Sequence, residues 1–307
     1  MHIKIILAAA ALSVANHAAT AEELTGTLEK IRSTVTITIG HRESSIPFSY
    51  YDNSEKVVGY AMDLCYLAVD AVKARLGLQK LDVKLVPVTP SGRIQSVLSG
   101  TVDLECGTTT NNLEREKVVS FSTTYFVAAN RFVAKATAKL RTLDDLKGKI
   151  VVSTIGSTNL KQISELSARY HLDLTILAAK DNGEAFRMLE TDRADAFVMD
   201  DILLYSRVAD SATPADYTVS EEALSVEPYG MMMRREDPTF KKVVDDAMAA
   251  VYRSGEIGKI YAKWFLTPIP PNNVNLNAPM SAPLKHTIEH LIDSGDPDAY
   301  RVGNSTQ

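Results

Sequence analysis

Apolar positions recur along this chain at two periods, and the alternation between them sets its organisation. From Ser33 onward, short β-branched runs alternate with stretches in which apolar residues return every three or four positions, the pattern of βαβ units and a largely parallel sheet. Residues 35–39 read VTITI and end at Gly40, which predicts a strand opening into the polar loop 41–47. Residues 63–76 place Leu64, Ala68, Val72 and Leu76 on one helical face, with Gly77 as a C-terminal cap. A strand over 83–88 follows, then a helix from about Ser91, whose hydroxyl reads as its N-cap, to Gly100. Residues 101–106 return as a strand and enter the polar loop 107–112.

A second block repeats this design. It runs through a strand over 150–154, the turn Gly156-Ser157-Thr158, a helix to about Tyr170, a strand over 174–178, a helix over 183–191 and a strand over 194–199 ending at Asp200-Asp201. Extended stretches over 124–132 and 225–234 flank this block. Phe240, Val243, Val244, Ala247, Met248, Val251 and Tyr252 then mark an amphipathic helix, and Tyr261, Trp264 and Phe265 a shorter one. No strand–helix repeat follows, so these helices must lean on an existing lobe. The simplest topology is an α/β protein of two lobes, with the chain crossing from one to the other and back over a cleft. We expect one lobe from 22–124 plus 232–270, hinge strands at 125–129 and 227–231, a second lobe over 130–226, and a polar tail over 271–307 that packs on the surface or frays.

Composition narrows the function classes. At 307 residues and 45% hydrophobic, the chain has enough apolar material for one or two cores without disulfide staples. Residues 1–21 carry a basic start, an apolar run and Ala19-Thr20-Ala21, the layout of a secretory signal peptide. Its removal takes Lys4 and leaves 32 basic against 38 acidic side chains. That balance gives no basic footprint, so nucleic acid is not an expected partner. The protein is expected in the periplasm. Two cysteines, Cys65 and Cys106, exclude a multi-thiolate metal site; in an oxidising compartment they either pair or serve as small buried apolar residues.

In doubly wound sheets, ligands sit beyond the carboxyl ends of the strands. Those loops hold Arg42; Ser91 and Arg93; Thr108, Thr110 and Arg115; Ser157 and Thr158; and Asp200. A loop arginine is in general a solvated charge, but guanidinium forks match carboxylates, the helix start at 156–158 favours anions, and Asp200 suits an ammonium. The inventory describes a zwitterion, with or without a second carboxylate. Catalytic signatures are missing from the sequence: there is no Gly-x-Ser-x-Gly, Ser-x-x-Lys, His-Glu-x-x-His or Walker loop. His41 reads as a loop histidine beside Arg42, the Met231–Met233 run as core strand, and Asp201 and Glu114 as surface groups.

The stretches 40–51, 105–115, 179–183 and 197–201, with Trp264-Phe265-x-x-Pro268-Ile269-Pro270-Pro271, resemble the periplasmic glutamate/aspartate-binding proteins of ATP-binding cassette importers. The resemblance covers about 34–277 and implies the two-lobed, two-hinge type II periplasmic-binding-protein fold, no enzymatic activity and no cofactor. It implies Arg115, Thr110 and Thr158 at a ligand α-carboxylate, Asp200 and the Thr108 region at its ammonium, and Arg42 and Arg93 at its side-chain carboxylate. Two positions depart from the family: Pro90, with Ser91 one place later than the expected serine, and Asn182 where a histidine is usual. The expected ligand is glutamate or aspartate, the expected partner a membrane permease that recognises the closed state, and the expected state a monomer. A dehydratase-like enzyme acting on a carboxylate on the same fold is the alternative, and a sensory domain a more remote one.

Overall fold

The computed structural model describes residues 24–302, so the signal-peptide reading of 1–21 lies outside the described residues. Helix α1 (Gly26–Thr34) leads into β1 (Thr36–His41). The strand starts one residue later than its β-branched run because Val35, with φ of 52°, is the left-handed cap of α1. A small sheet of β2 (Ser44–Ser45), β3 (Ser49–Tyr51) and β4 (Val57–Val58) precedes α2 (Tyr60–Arg75), β5 (Asp82–Pro87), α3 (Arg93–Leu98), β6 (Leu104–Cys106) and β7 (Val119–Phe121). Strand β8 (Phe126–Lys135) leaves this block. The next comprises β9 (Ile150–Thr154), α4 (Thr158–Tyr170), β10 (Thr175–Ala179), α5 (Asn182–Glu190), β11 (Ala196–Asp200), α6 (Asp201–Ala209) and β12 (Tyr217–Val219). The chain returns through β13 (Ser225–Tyr229) and β14 (Met232–Arg234) and ends in α7 (Pro238–Arg253), α8 (Glu256–Phe265) and α9 (Ala282–His290).

The two large sheets share one plan. The first runs β5-β1-β6-β14-β7 and the second β10-β9-β11-β8-β12, with β13 also on β8. In each, three parallel strands are followed by an antiparallel strand: β14, which comes just after the return crossing, in the first lobe, and β8, which makes the outward crossing, in the second. The crossings are themselves paired antiparallel, from Phe126 opposite Tyr229 to Asn130 opposite Ser225. The extended stretch 225–234 is thus two strands, one in the crossing and one in the first sheet.

An aromatic cluster roots the crossing strands in the first lobe. The buried Phe48 ring meets Phe126 at 4.9 Å, Tyr229 at 5.3 Å and Phe265 at 5.7 Å, all near-perpendicular. The C-terminal helices lean on this lobe, α7 packing its buried Phe240, Val244 and Val251 face against α2. Cys65 on α2 and Cys106 at the end of β6 form a disulfide, with Cα atoms 6.1 Å apart, which ties that helix to the strand feeding the loop 107–112. The Met231–Met233 run is wholly buried.

One reading is corrected here and one open alternative is decided. Ser91 caps no helix: α3 begins at Arg93, and Thr89 Oγ1 accepts the Gly92 amide at 3.0 Å, leaving Ser91 exposed. The tail, through residue 302, does not fray. Leu284 and Tyr300 are buried, the Thr124 amide donates to Ile292 O at 2.8 Å, and the Tyr300 and Thr124 hydroxyls pair at 2.8 Å, so the tail straps the entrance to the first crossing strand.

Candidate functional site

Both sheets aim the carboxyl ends of their parallel strands at one space between the lobes. It is lined by Arg42, Pro90, Arg93, Thr108 and Thr110 from the first lobe and by Thr154, Ser157, Thr158, Asn159, Asn182, Met199, Asp200 and Leu203 from the second. About 290 Å³ of space lies between these walls, part of it open to solvent. Eight of the side chains expected from sequence meet there; Ser91 and Arg115 are not on its wall.

Each wall residue is delivered by the end of an element. Arg42 follows β1 and Arg93 opens α3; both are buried, at 4% and 3% exposure. Arg93 Nη1 donates to Thr108 O at 3.1 Å, whereas Nε of both arginines has no hydrogen-bond partner. Buried donors without partners are rare, and here two of them belong to cations. Burial, and next the charge of Arg93, hold the Arg42 guanidinium down to about 10; the same two causes, in the same order, hold Arg115 to about 10. Arg42 and Arg115 remain charged at neutral pH, and the charge of Arg93 beside them is a positive field that a bound anion would relieve. Glu105, fully buried on β6, stands behind them: Oε2 accepts from Thr109 Oγ1 at 2.6 Å and Oε1 is unpartnered.

Arg115 sits just behind the wall. Nη1 donates to Thr110 O at 2.8 Å, and Nη2 reaches across to Gly156 O, in the other lobe, at 3.3 Å. The lobes also meet through Thr110 and Thr158 hydroxyls 3.5 Å apart and through Arg207 Nη2, which donates to Ser44 O at 2.5 Å. At the rim, Gly156 (φ +79°) lies so close to Pro90 and Ser91 that a Cβ on it would fall 2.5 Å from Ser91 Cα.

The second lobe offers the opposite polarity. Ser157 caps α4, its Oγ accepting the Leu160 amide at 3.1 Å, and the first amides of that helix have no intrahelical acceptor. Asn182 Oδ1 accepts from Thr154 Oγ1 at 2.7 Å. Asp200, at the end of β11 and 3% exposed, accepts from Asn159 Nδ2 at 2.8 Å and from the Tyr229 hydroxyl. Burial first, and Glu227 second, push its carboxyl up to about 7, against the pull of those two donors. Glu227, fully buried on β13, accepts from Thr158 Oγ1 at 2.7 Å.

Sequence reading passed over Glu227, Tyr229, Asn159 and Thr154. A signal existed for the first two: Ser225, Glu227 and Tyr229 alternate on one face of a strand with apolar neighbours. Two further readings change. His41 is a buried strand residue, edge-on to Tyr51 at 5.4 Å, and Asp201 is no simple surface group, since it accepts the Ala129 amide at 3.2 Å on the first crossing strand.

The wall therefore holds cationic donors at one end and a carboxylate with hydroxyls at the other, suited to a small molecule with both anionic and cationic groups. The sequence pattern of the bacterial extracellular solute-binding proteins, family 3, matches residues 37–267. The L-glutamate/L-aspartate-binding protein of Pseudomonas aeruginosa is 50% identical over 274 residues, covering 89% of this chain and 91% of that protein. The glutamate/aspartate import solute-binding protein of Escherichia coli is 44% identical over 267 residues, covering 87% and 88%. Among solved structures, a mutant of the arginine-binding protein of T. maritima superposes with a TM-score of 0.69 at 28% identity, covering 78% of this chain and 99% of that one.

Proposed function

Since the chain belongs to family 3 of the bacterial extracellular solute-binding proteins, we propose that it captures an acidic amino acid, glutamate or aspartate, between its lobes and delivers it to an ATP-binding cassette importer. The observation that carries this reading is the set of buried guanidinium groups, two with unpartnered Nε atoms, facing the buried Asp200 across one small space. A neutral amino acid would leave one of those cations without its counter-charge.

In this reading Arg115 and the Thr110 region hold the α-carboxylate with the first amides of α4, Asp200 takes the ammonium, and Arg42 and Arg93 take the side-chain carboxylate. Thr108, Ser157 and Asn182 complete the wall; Ser91 shapes the rim from its backbone. The paired crossing strands at 125–129 and 227–231 are the bending points, and the ligand shifts the lobes toward closure by its differential affinity for that state. The closed molecule is then read by a membrane permease, and it works as a monomer exported to the periplasm. The named relatives are binding proteins. Asp200, the one carboxylate on the cavity wall, is already an acceptor for Asn159 and Tyr229, and that wall gives the alternative dehydratase chemistry no second carboxyl to pair with it.

Calorimetry of the ligand-stripped protein tests this directly. Glutamate or aspartate should bind at least about a hundredfold more tightly than glutamine, asparagine or arginine, because one buried charge pair is at stake. Equal affinity for acids and amides would refute it.

A further inference from the structure

The family pattern ends at residue 267, and the tail beyond it does more than cover the first lobe. Arg115, 9% exposed, follows the loop 107–114, which is neither helix nor strand apart from one bridge between Thr110 and Tyr229. A cation in a dry site gains hydration by moving out, so this loop has to be held from both sides. On the inner side it is fixed to the crossing strand, where the Asn111 amide donates to Pro228 O at 2.7 Å. On the outer side it meets the tail. Asn111, buried, donates through Nδ2 to Asp293 O at 2.8 Å and to Glu116 Oε1 at 2.9 Å, and the Gly295 amide donates to the same Glu116 oxygen at 2.7 Å. One carboxylate oxygen, on the residue after Arg115, thus joins Asn111 and the tail. Inside this clasp Asn112 Oδ1 accepts the Arg115 amide at 2.8 Å and Asn112 O the Glu116 amide at 3.0 Å. Gly295 lies so close over the loop that a Cβ on it would fall 2.6 Å from Asn112 C and 2.8 Å from Leu113 N. The tail can brace the loop because it is rooted elsewhere: Ile292 O accepts the Thr124 amide at 2.8 Å, Lys241 Nζ on α7 donates to Asp293 Oδ2 at 2.9 Å, and the Tyr300 hydroxyl donates to Ser294 O at 2.6 Å.

We propose that the tail segment 292–300 is a brace that sets the Arg115 guanidinium in the cleft, with Glu116 and Gly295 as its positioning residues. Neither lines the space between the lobes; both act through Arg115, whose Nη2 reaches Gly156 O in the other lobe. The proposal rests on the reading that the cleft binds glutamate or aspartate.

The test combines calorimetry with L-glutamate and amide hydrogen exchange of the ligand-free full chain, in wild type, Gly295→Ala, Glu116→Ala, Glu116→Gln and Gly258→Ala, the last a control with nothing within 4 Å of a built Cβ. In Gly295→Ala the new methyl presses on main chain that cannot swing aside, so the amides of 111–116 should exchange about tenfold faster and glutamate should bind about tenfold more weakly. Glu116→Ala should do the same, whereas Glu116→Gln keeps an acceptor for both N–H groups and should bind glutamate within about threefold of wild type. Gly258→Ala should leave both readouts unchanged. A tail that served stability alone would lower the melting temperature and spare the affinity. A brace acting through Arg115 is coupled to it, so in an Arg115→Lys background, where the guanidinium fork is gone, the loss caused by Gly295→Ala should shrink to less than about threefold. Unchanged affinity in Gly295→Ala or Glu116→Ala, a full loss in Glu116→Gln, or losses that add to that of Arg115→Lys would overturn the proposal. Failure of the wild-type protein to bind glutamate or aspartate would instead overturn the functional reading beneath it, and unchanged exchange over 111–116 in Gly295→Ala would overturn the brace independently of any ligand.

Discussion

Replacing Gly156 with alanine should hold the lobes apart without unfolding either of them. The added Cβ would lie 2.5 Å from Ser91 Cα, 2.6 Å from Ser91 N and 2.8 Å from Pro90 C, all backbone atoms of the opposite lobe. None can swing away as a side-chain tip would, and ordinary contact requires roughly another ångström of separation. The lobes can supply it only by opening. Two costs add: the left-handed backbone at φ +79° costs a non-glycine residue about 1–2 kcal/mol in any conformational state that keeps the turn, and overpacking of the closed interface costs about 1–3 kcal/mol. Only the second differs between open and closed forms, so it alone should appear in the affinity, as a loss of about 5- to 150-fold. Gly77 supplies the control, because it has φ +63° with nothing within 4 Å of a built Cβ. Calorimetry with glutamate should show Gly156→Ala much weaker and Gly77→Ala unchanged, and both should lose similar thermal stability without ligand. Equal affinities for Gly156→Ala and wild type would refute the view that this contact belongs to the closed state.

Arg115→Ala should leave the ligand-free melting temperature nearly unchanged and weaken glutamate binding by at least about a hundredfold, since a charged donor is lost from a dry site; titration showing less than a threefold change would remove Arg115 from the site. The pH dependence follows from Asp200, whose carboxyl is pushed up to about 7, chiefly by burial. An ammonium needs the carboxylate, so affinity should fall as pH drops through 7, and a flat calorimetric profile between pH 5 and 8 would contradict this. For the ligand-free protein the sign is opposite: the fold holds this proton more tightly than the unfolded chain does, so the group adds stability at low pH that is lost as pH rises through 7, and Asp200→Asn should abolish that trend in melting curves. Removing the Cys65–Cys106 link by serine substitution at both positions should cost about 4 kcal/mol for a crosslink spanning 41 residues, read by denaturant unfolding; no change in midpoint would mean that α2 and β6 are held by packing alone.

Local order proved readable where a few neighbouring residues decide it. The turn at Gly156-Ser157-Thr158 and the helix it opens were legible in those residues, and the structure supplies the reasons: Ser157 caps the helix and Gly156 takes a positive φ. The amphipathic spacing of Phe240 to Tyr252 likewise reappears as the buried face of α7. Ser91 misled because capping depends on where the helix starts: with α3 beginning at Arg93, Thr89 is the hydroxyl that reaches an orphan amide. The Cys65–Cys106 pairing stayed open because it depends on how a helix packs over a strand 41 residues away. Burial of Arg42, Arg93 and Arg115 was equally illegible. A loop arginine is normally solvated, and these are dry only because two lobes, each folded from its own segment, close over them.

That dependence on closure bears on how the site discriminates. Three guanidiniums and the carboxylates of Glu105, Asp200 and Glu227 are buried together in the closed form, so part of the desolvation cost is met by folding and the rest falls on the closure that the ligand drives. What the ligand must supply is charge in the right places. Glu105 and Glu227 are the less visible half of this arrangement: one stands behind the arginines, the other behind Thr158, and neither is on the cavity wall. A wall composed of the same side chains without them would retain its cations but lose the fixed direction of its hydroxyls. Specificity for an acidic zwitterion then resides as much in which way each proton is turned as in which residues face the ligand.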